Sequence, residues 1–165
     1  MQSESRALVS SLTARSLAGA GLLAGILGGA AEVVWVSVFS AVSGGSAAQL
    51  ARGVTETVMP ALASGPLAVP FGLAVHFGLA AALGIAVALV LRRLFPSLAG
   101  SWREFALIVL ALAGVWAMNF LVILPQVNPA FVTLLPMWAS LTSKLLFGIA
   151  AALALRIATD GRQHE

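Results

Sequence analysis

The chain has no cysteine and no tyrosine among its 165 residues. Without cysteine there are no disulfides, no thiol catalysis and no Cys-ligated zinc or iron–sulfur cluster. Charge is also scarce. Only 9% of residues are Asp, Glu, Lys or Arg, against about 25% in soluble domains. A water-soluble fold of this size could not cover its surface with so few. Histidine is limited to His76 and His164, and only His76 lies in an apolar run. Bis-histidine haem ligation within one chain therefore lacks a second ligand. A metal site built on His76 and Glu32 is likewise short of ligands. No Ser or Thr has the His/Asp partners of a nucleophile. The chain is thus expected to be neither an enzyme nor a carrier of metal or cofactor.

What the sequence has is apolar length. Sixty per cent of residues are hydrophobic, and they gather in four runs: Ser16–Val42, Leu67–Leu91, Phe105–Leu124 and Met137–Ile157. Each reaches the roughly 20 residues a helix needs to span hydrocarbon. The expected fold is all-α: one polytopic membrane domain of four transmembrane helices, with the bilayer as its first partner. The third run has the clearest limits. Ser101 and Glu104 stand at the N-cap and N3 positions of a capping box, and Pro125 disfavours helix at Leu124. Pro66 and Pro136 stand where a first helical turn tolerates proline.

Basic residues set the orientation. Arg6, Arg15, Arg92, Arg93, Arg103, Arg156 and Arg162 fall on one side of a four-span chain, and only Arg52 falls on the other. The basic side is cytoplasmic by the positive-inside rule, so both termini are inside. The arginines flank apolar runs, so the net charge of +3 reads as topology and no nucleic-acid partner is expected. Arg6 and Arg15 before a small-residue stretch also fit a signal peptide. However, the apolar run continues past Glu32 through Val33–Phe39, beyond the usual h-region of about 7–15 residues. A retained helix is expected.

In the outer segment Ser43–Gly65, Leu50, Val54, Val58 and Ala61 recur at helical spacing, with Gln49, Arg52 and Glu56 toward another face. A short amphipathic helix on the outer membrane surface follows; a loop that packs over the bundle mouth is the alternative. Pro125–Pro136 has three prolines and no charge, which suits a stiff connection. A weak repeat aligns Gly84–Arg92 on Gly148–Arg156, and Val34-Trp35 on Val115-Trp116. Duplication of a helix pair and chance similarity both remain open.

In lipid, close approach of small residues drives helix association. The first helix has Gly21, Gly25 and Gly29 at four-residue steps. The second has Gly72, His76, Ala80 and Gly84, and the fourth has Ser140, Lys144 and Gly148. Glu32 follows Gly28 by four residues. Residues three or four apart share a helix face, so Glu32, His76 and Lys144 should face neighbouring helices. Counted from Arg15, Arg92 and Arg103, Glu32, His76 and Asn119 lie about 24–26 Å along their helices. Lys144 lies about 18 Å from Arg156, and its side chain leans toward the same layer. A lone charge at a helix centre costs about 2.5–3.5 kcal/mol, so Glu32 should pair with Lys144. His76 and Asn119 would satisfy the remaining hydrogen bonds. A proton relay or small-solute site open to the outside is one reading; a buried pair that fixes helix register is the other. Trp102 and Trp138 suit interfacial belts, and Trp35 and Trp116 suit packing.

Val75-His76-Phe77-Gly78-Leu79, Trp116-Ala117-Met118-Asn119-Phe120 with Pro125, Trp138 and Phe147-Gly148 together resemble a loose group of small uncharacterised bacterial four-helix inner-membrane proteins. The resemblance covers about residues 66–157. It implies a bacterial inner membrane and little about activity. Members of that group often have a histidine where this chain has Lys144. Two function classes follow from the sequence. One is small-solute or proton transport or binding at the polar cluster. The other is a structural or assembly subunit of a larger membrane complex. The first class would work as a homo-oligomer; in the second, the small-residue ridges would serve as docking faces for other membrane subunits.

Overall fold

The computed structural model describes the backbone of residues 2–160 and the side chains of residues 16–158. The side chains of Arg6 and Arg15, and all of Arg162, lie outside the described residues. The chain forms α1 (Gln2–Ser43), α2 (Ala47–Val58), α3 (Ala68–Leu94) and α4 (Trp102–Met118). A π turn (Asn119–Ile123) continues α4 into α5 (Leu124–Val127), and α6 (Pro129–Val132) and α7 (Met137–Asp160) follow. Single 3₁₀ turns occupy Pro60–Leu62 and Pro96–Leu98. Among the described residues, four helical stretches are long and apolar enough to cross a membrane: Ser16–Ser43, Ala68–Leu94, Trp102–Val127 and Met137–Ala158. Their outward faces suit lipid rather than water, with Val34, Leu79, Leu110 and Ile157 all exposed.

Small residues decide which helices meet. α1 packs on both α3 and α7, and α7 packs on α4. The neighbour order is therefore α3, α1, α7, α4, and α3 barely touches α4. At the α1–α3 crossing, a Cβ on Gly21 would meet the Ile85 Cα at 2.7 Å, and one on Gly25 the Ala81 Cα at 2.8 Å. Gly84 stands opposite the Gly21 carbonyl. Gly29 packs on the Ala80 methyl, and Gly148 of α7 lies against the Val109 backbone of α4. Helix backbones in contact have no room for a side chain, which is the packing that membrane helices favour. The residues matched by the repeat thus serve corresponding pairs, Gly84 between α1 and α3 and Gly148 between α4 and α7.

Two ends of the bundle differ. At the α3–α4 hairpin, Ser101 Oγ accepts from the Glu104 N–H at 3.2 Å, as a capping box requires. The Glu104 carboxylate, however, accepts from Gly100 N–H at 2.7 Å and not from the N-cap N–H. It also pairs with Arg92 at 2.6 Å. Gly100 has φ +73°, a left-handed conformation that glycine adopts without strain. Beneath the hairpin end lies an apolar core of Ile108, Leu112, Ala151, Ala152 and Leu155.

At the other end, two expectations change. Helix does not stop at Leu124. The Leu124 N–H reaches back five residues to the Asn119 carbonyl, a π turn. In a regular helix the Pro125 ring would press on the carbonyl four residues earlier; the wider turn relieves this, and helix persists to Val127. The stretch to Pro136 is mostly short helix, α5 and α6, rather than loop. The second change concerns α2, which folds onto the bundle. Ala51, Gly53 and Thr55 are buried. The Ala51 backbone sits on Gly72 of α3, and the Thr55 hydroxyl donates to the Ala68 carbonyl. On its other side, Gly53 packs on the Phe131 ring and Asn128 Nδ2 donates to Thr57 Oγ1 at 3.0 Å. α2 is thus a roof fixed on both flanks. Its apolar Leu50 and Val54 turn inward toward the bundle, which leaves Arg52 and Glu56 exposed.

Candidate functional site

Glu32 of α1 is almost fully buried, and two groups of α7 satisfy it. Lys144 Nζ donates to Oε2 at 2.9 Å, and Ser143 Oγ reaches Oε1 at 3.2 Å. The pairing follows from register. Gly28, one turn before Glu32, leaves room for the Phe147 ring, which a Cβ there would meet at 2.7 Å. Phe147, one turn after Ser143 and Lys144, seats α7 against α1 at that level. Its ring lies 4.7 Å from Lys144 Nζ, a cation–π contact.

His76 and Asn119 are placed otherwise than expected. Neither hydrogen-bonds to the Glu32 carboxylate, whose partners are Ser143 and Lys144. His76 Nε2 lies 3.2 Å from the Gly29 carbonyl. A carbonyl only accepts, so Nε2–H is the donor in this contact. Asn119 opens the π turn, and its side-chain amide has no hydrogen-bond partner among the described residues. The sequence did not show that Ser143 would be the second partner of Glu32. Its signal was the adjacency of Ser143 to Lys144 one turn before Phe147.

The four polar residues nevertheless share one space. A cavity of 580 Å³ is lined by Glu32, His76, Asn119 and Lys144. Its floor is Phe147, and Leu50 and Val54 of α2 form part of its roof. Most of the remaining wall is aliphatic. Two indoles brace the side along α7. Trp35 Nε1 donates to the Ala139 carbonyl at 2.9 Å, and Trp116 Nε1 donates to Ser140 Oγ at 3.1 Å. These are the tryptophans matched by the internal repeat, and they flank one turn of α7 from α1 and α4. Below Phe147 the interior is apolar down to the Arg92–Glu104 pair. Among the described residues no cluster of His, Asp, Glu or Cys has metal-binding spacing.

The site can therefore hold a small solute among hydrogen-bonding groups. Among the described residues it offers no continuous polar path along the helices. No protein-family model, curated protein or solved structure matches the chain.

Proposed function

We propose that the chain is a four-span membrane protein that binds a small solute in the chamber around Glu32, His76, Asn119 and Lys144. The hairpin end is cytoplasmic and the α2 end is outside. One observation carries the reading: four polar side chains from four helices line one cavity of 580 Å³. A mostly apolar cavity of this size with a few convergent polar groups is the usual form of a ligand site. The orientation rests on Arg92, Arg93, Arg103 and Arg156 at the hairpin end, against Arg52 on α2. A bacterial inner membrane agrees with the motif resemblance. Binding is favoured over passage because the half beyond Phe147 is packed with aliphatic side chains.

The alternative of a structural subunit draws less support. Its docking faces were to be the small-residue ridges, yet Gly21, Gly25, Gly84 and Gly148 are used inside the chain itself. The test has two parts. Wild type purified in mild detergent should show a bound small molecule by native mass spectrometry, and His76→Leu should lose much of it. In vesicles, pH-gradient decay with the protein should equal that of empty vesicles. No bound mass in any preparation would sink the binding reading. Decay above empty vesicles that His76→Gln abolishes would replace it with a proton relay.

A further inference from the structure

The openings of the chamber indicate what enters it. α3 and α4 barely touch; Arg92 and Glu104 join them at the hairpin, and farther along the chamber lies between them. Leu79 on α3 is 64% exposed and Val115 on α4 is 38% exposed, and both line the chamber. Asn119 is exposed one turn beyond Val115. Counted from Arg92 and Arg103, Leu79 and Val115 stand about 18–20 Å along their helices. In a hydrocarbon layer about 30 Å thick, a gap at that depth faces acyl chains. Ser37 and Ala48, beside the first turn of α2, are exposed lining residues at the other end. They mark the approach from water.

Chemistry of the wall narrows the occupant. Glu32 and Lys144 are its charged members, and they neutralise each other. An anionic head group would compete for Lys144 and leave Glu32 with the Ser143 hydroxyl but no counter-charge; a cationic one would compete for Glu32 and leave Lys144 without its counter-charge. Either leaves a buried charge uncompensated. Donors remain available. An ammonium has three N–H groups, of which one serves Glu32, and the Asn119 amide has no partner among the described residues.

On the binding reading above, we propose that the solute is an uncharged single-chain amphiphile that enters sideways from the bilayer. Its oxygen-bearing head meets Lys144 and Asn119. Its chain trails out between Leu79 and Val115.

Three probes with one chain, a bromine beside the head and different heads test this: 2-bromododecanol, 2-bromododecanoate and (2-bromododecyl)trimethylammonium. Each is titrated into phosphatidylcholine vesicles containing wild type or Trp116→Phe. The fluorescence quenching that Trp116→Phe loses belongs to the chamber wall. It should saturate for the alcohol, at loadings about tenfold lower than for either charged probe. Leu79→Phe and Val115→Phe narrow the gap at exposed positions and should weaken the alcohol several-fold while the helical circular dichroism is unchanged. Native mass spectrometry of wild type with the same probes gives the order independently of any variant. Quenching that rises linearly and equally for all three probes would overturn the proposal, as would tightest binding of a charged probe. Saturable quenching by water-soluble 2-bromoethanol, with none by the alcohol, would overturn lateral entry and leave the chamber as a binding site.

Discussion

Lys144→Met should cost the protein most of its folded yield, while Glu32→Gln/Lys144→Met should restore much of it. The reason lies in the asymmetry of buried pairs. Glu32 and Lys144 side chains are only 10% and 17% exposed. Removing one partner leaves a buried charge uncompensated, which costs about 3–5 kcal/mol. Removing both charges leaves an uncharged amide near Ser143 and an apolar chain on Phe147, a change that is often close to neutral. Glu32→Gln alone should fall between, because Lys144 keeps the Phe147 ring contact. Thermal unfolding of the four proteins in one detergent forms a double-mutant cycle. A strong coupling between the two positions is expected, and additive effects would mean that the charges are satisfied separately.

Gly25→Val should abolish the folded state, whereas Gly78→Ala should leave it intact. A Cβ at Gly25 would run into the backbone of Ala80 and Ala81 on α3, and backbone cannot rotate aside as a side-chain end can. Overpacking costs about 1–3 kcal/mol even when neighbours can yield; here α1 and α3 would have to separate. At Gly78 nothing lies within 4 Å of the added carbon, and alanine is favoured over glycine in a helix by about 0.5–1 kcal/mol. Size-exclusion profiles and melting curves of the two variants check this. Equal melting temperatures would mean that α1 and α3 do not cross at Gly25.

The sequence made the four long helices plain because apolar length and composition are local properties. The Glu32–Lys144 pairing was legible for a related reason. Each is costly in an apolar run, and both lie at one level on small-residue faces. What could not be read was set by tertiary geometry. Ser143 as the second partner of Glu32 depends on the rotation of α7 about its axis, which Phe147 fixes against Gly28. The passage of helix through Pro125 depends on a π turn that no residue pattern marks. The apolar face of α2 was visible as Leu50 and Val54, but a membrane surface and a bundle mouth demand the same stripe. The buried Ala51, Gly53 and Thr55 separate the two, because small residues permit backbone contact with α3 that lipid would not require. Arg92 counted as a topological charge and Glu104 as a cap, and their ion pair emerged only when α3 and α4 came together at the hairpin.

The central claim is a chamber near the outer face that is closed from the cytoplasm. Single cysteines in this cysteine-free chain test it most directly. In intact cells, a small membrane-impermeant thiol reagent should modify Cys at Ser43 and Thr133, both exposed at the α2 end. It should leave Cys at Ser97, exposed in the hairpin, untouched until the membrane is opened. A small uncharged thiol reagent should then reach Cys at Asn119, on the chamber wall, but not Cys at Leu112, which is 1% exposed in the core below. Labelling of Ser97→Cys in intact cells would reverse the orientation. Equal protection of Asn119→Cys and Leu112→Cys would contradict the chamber.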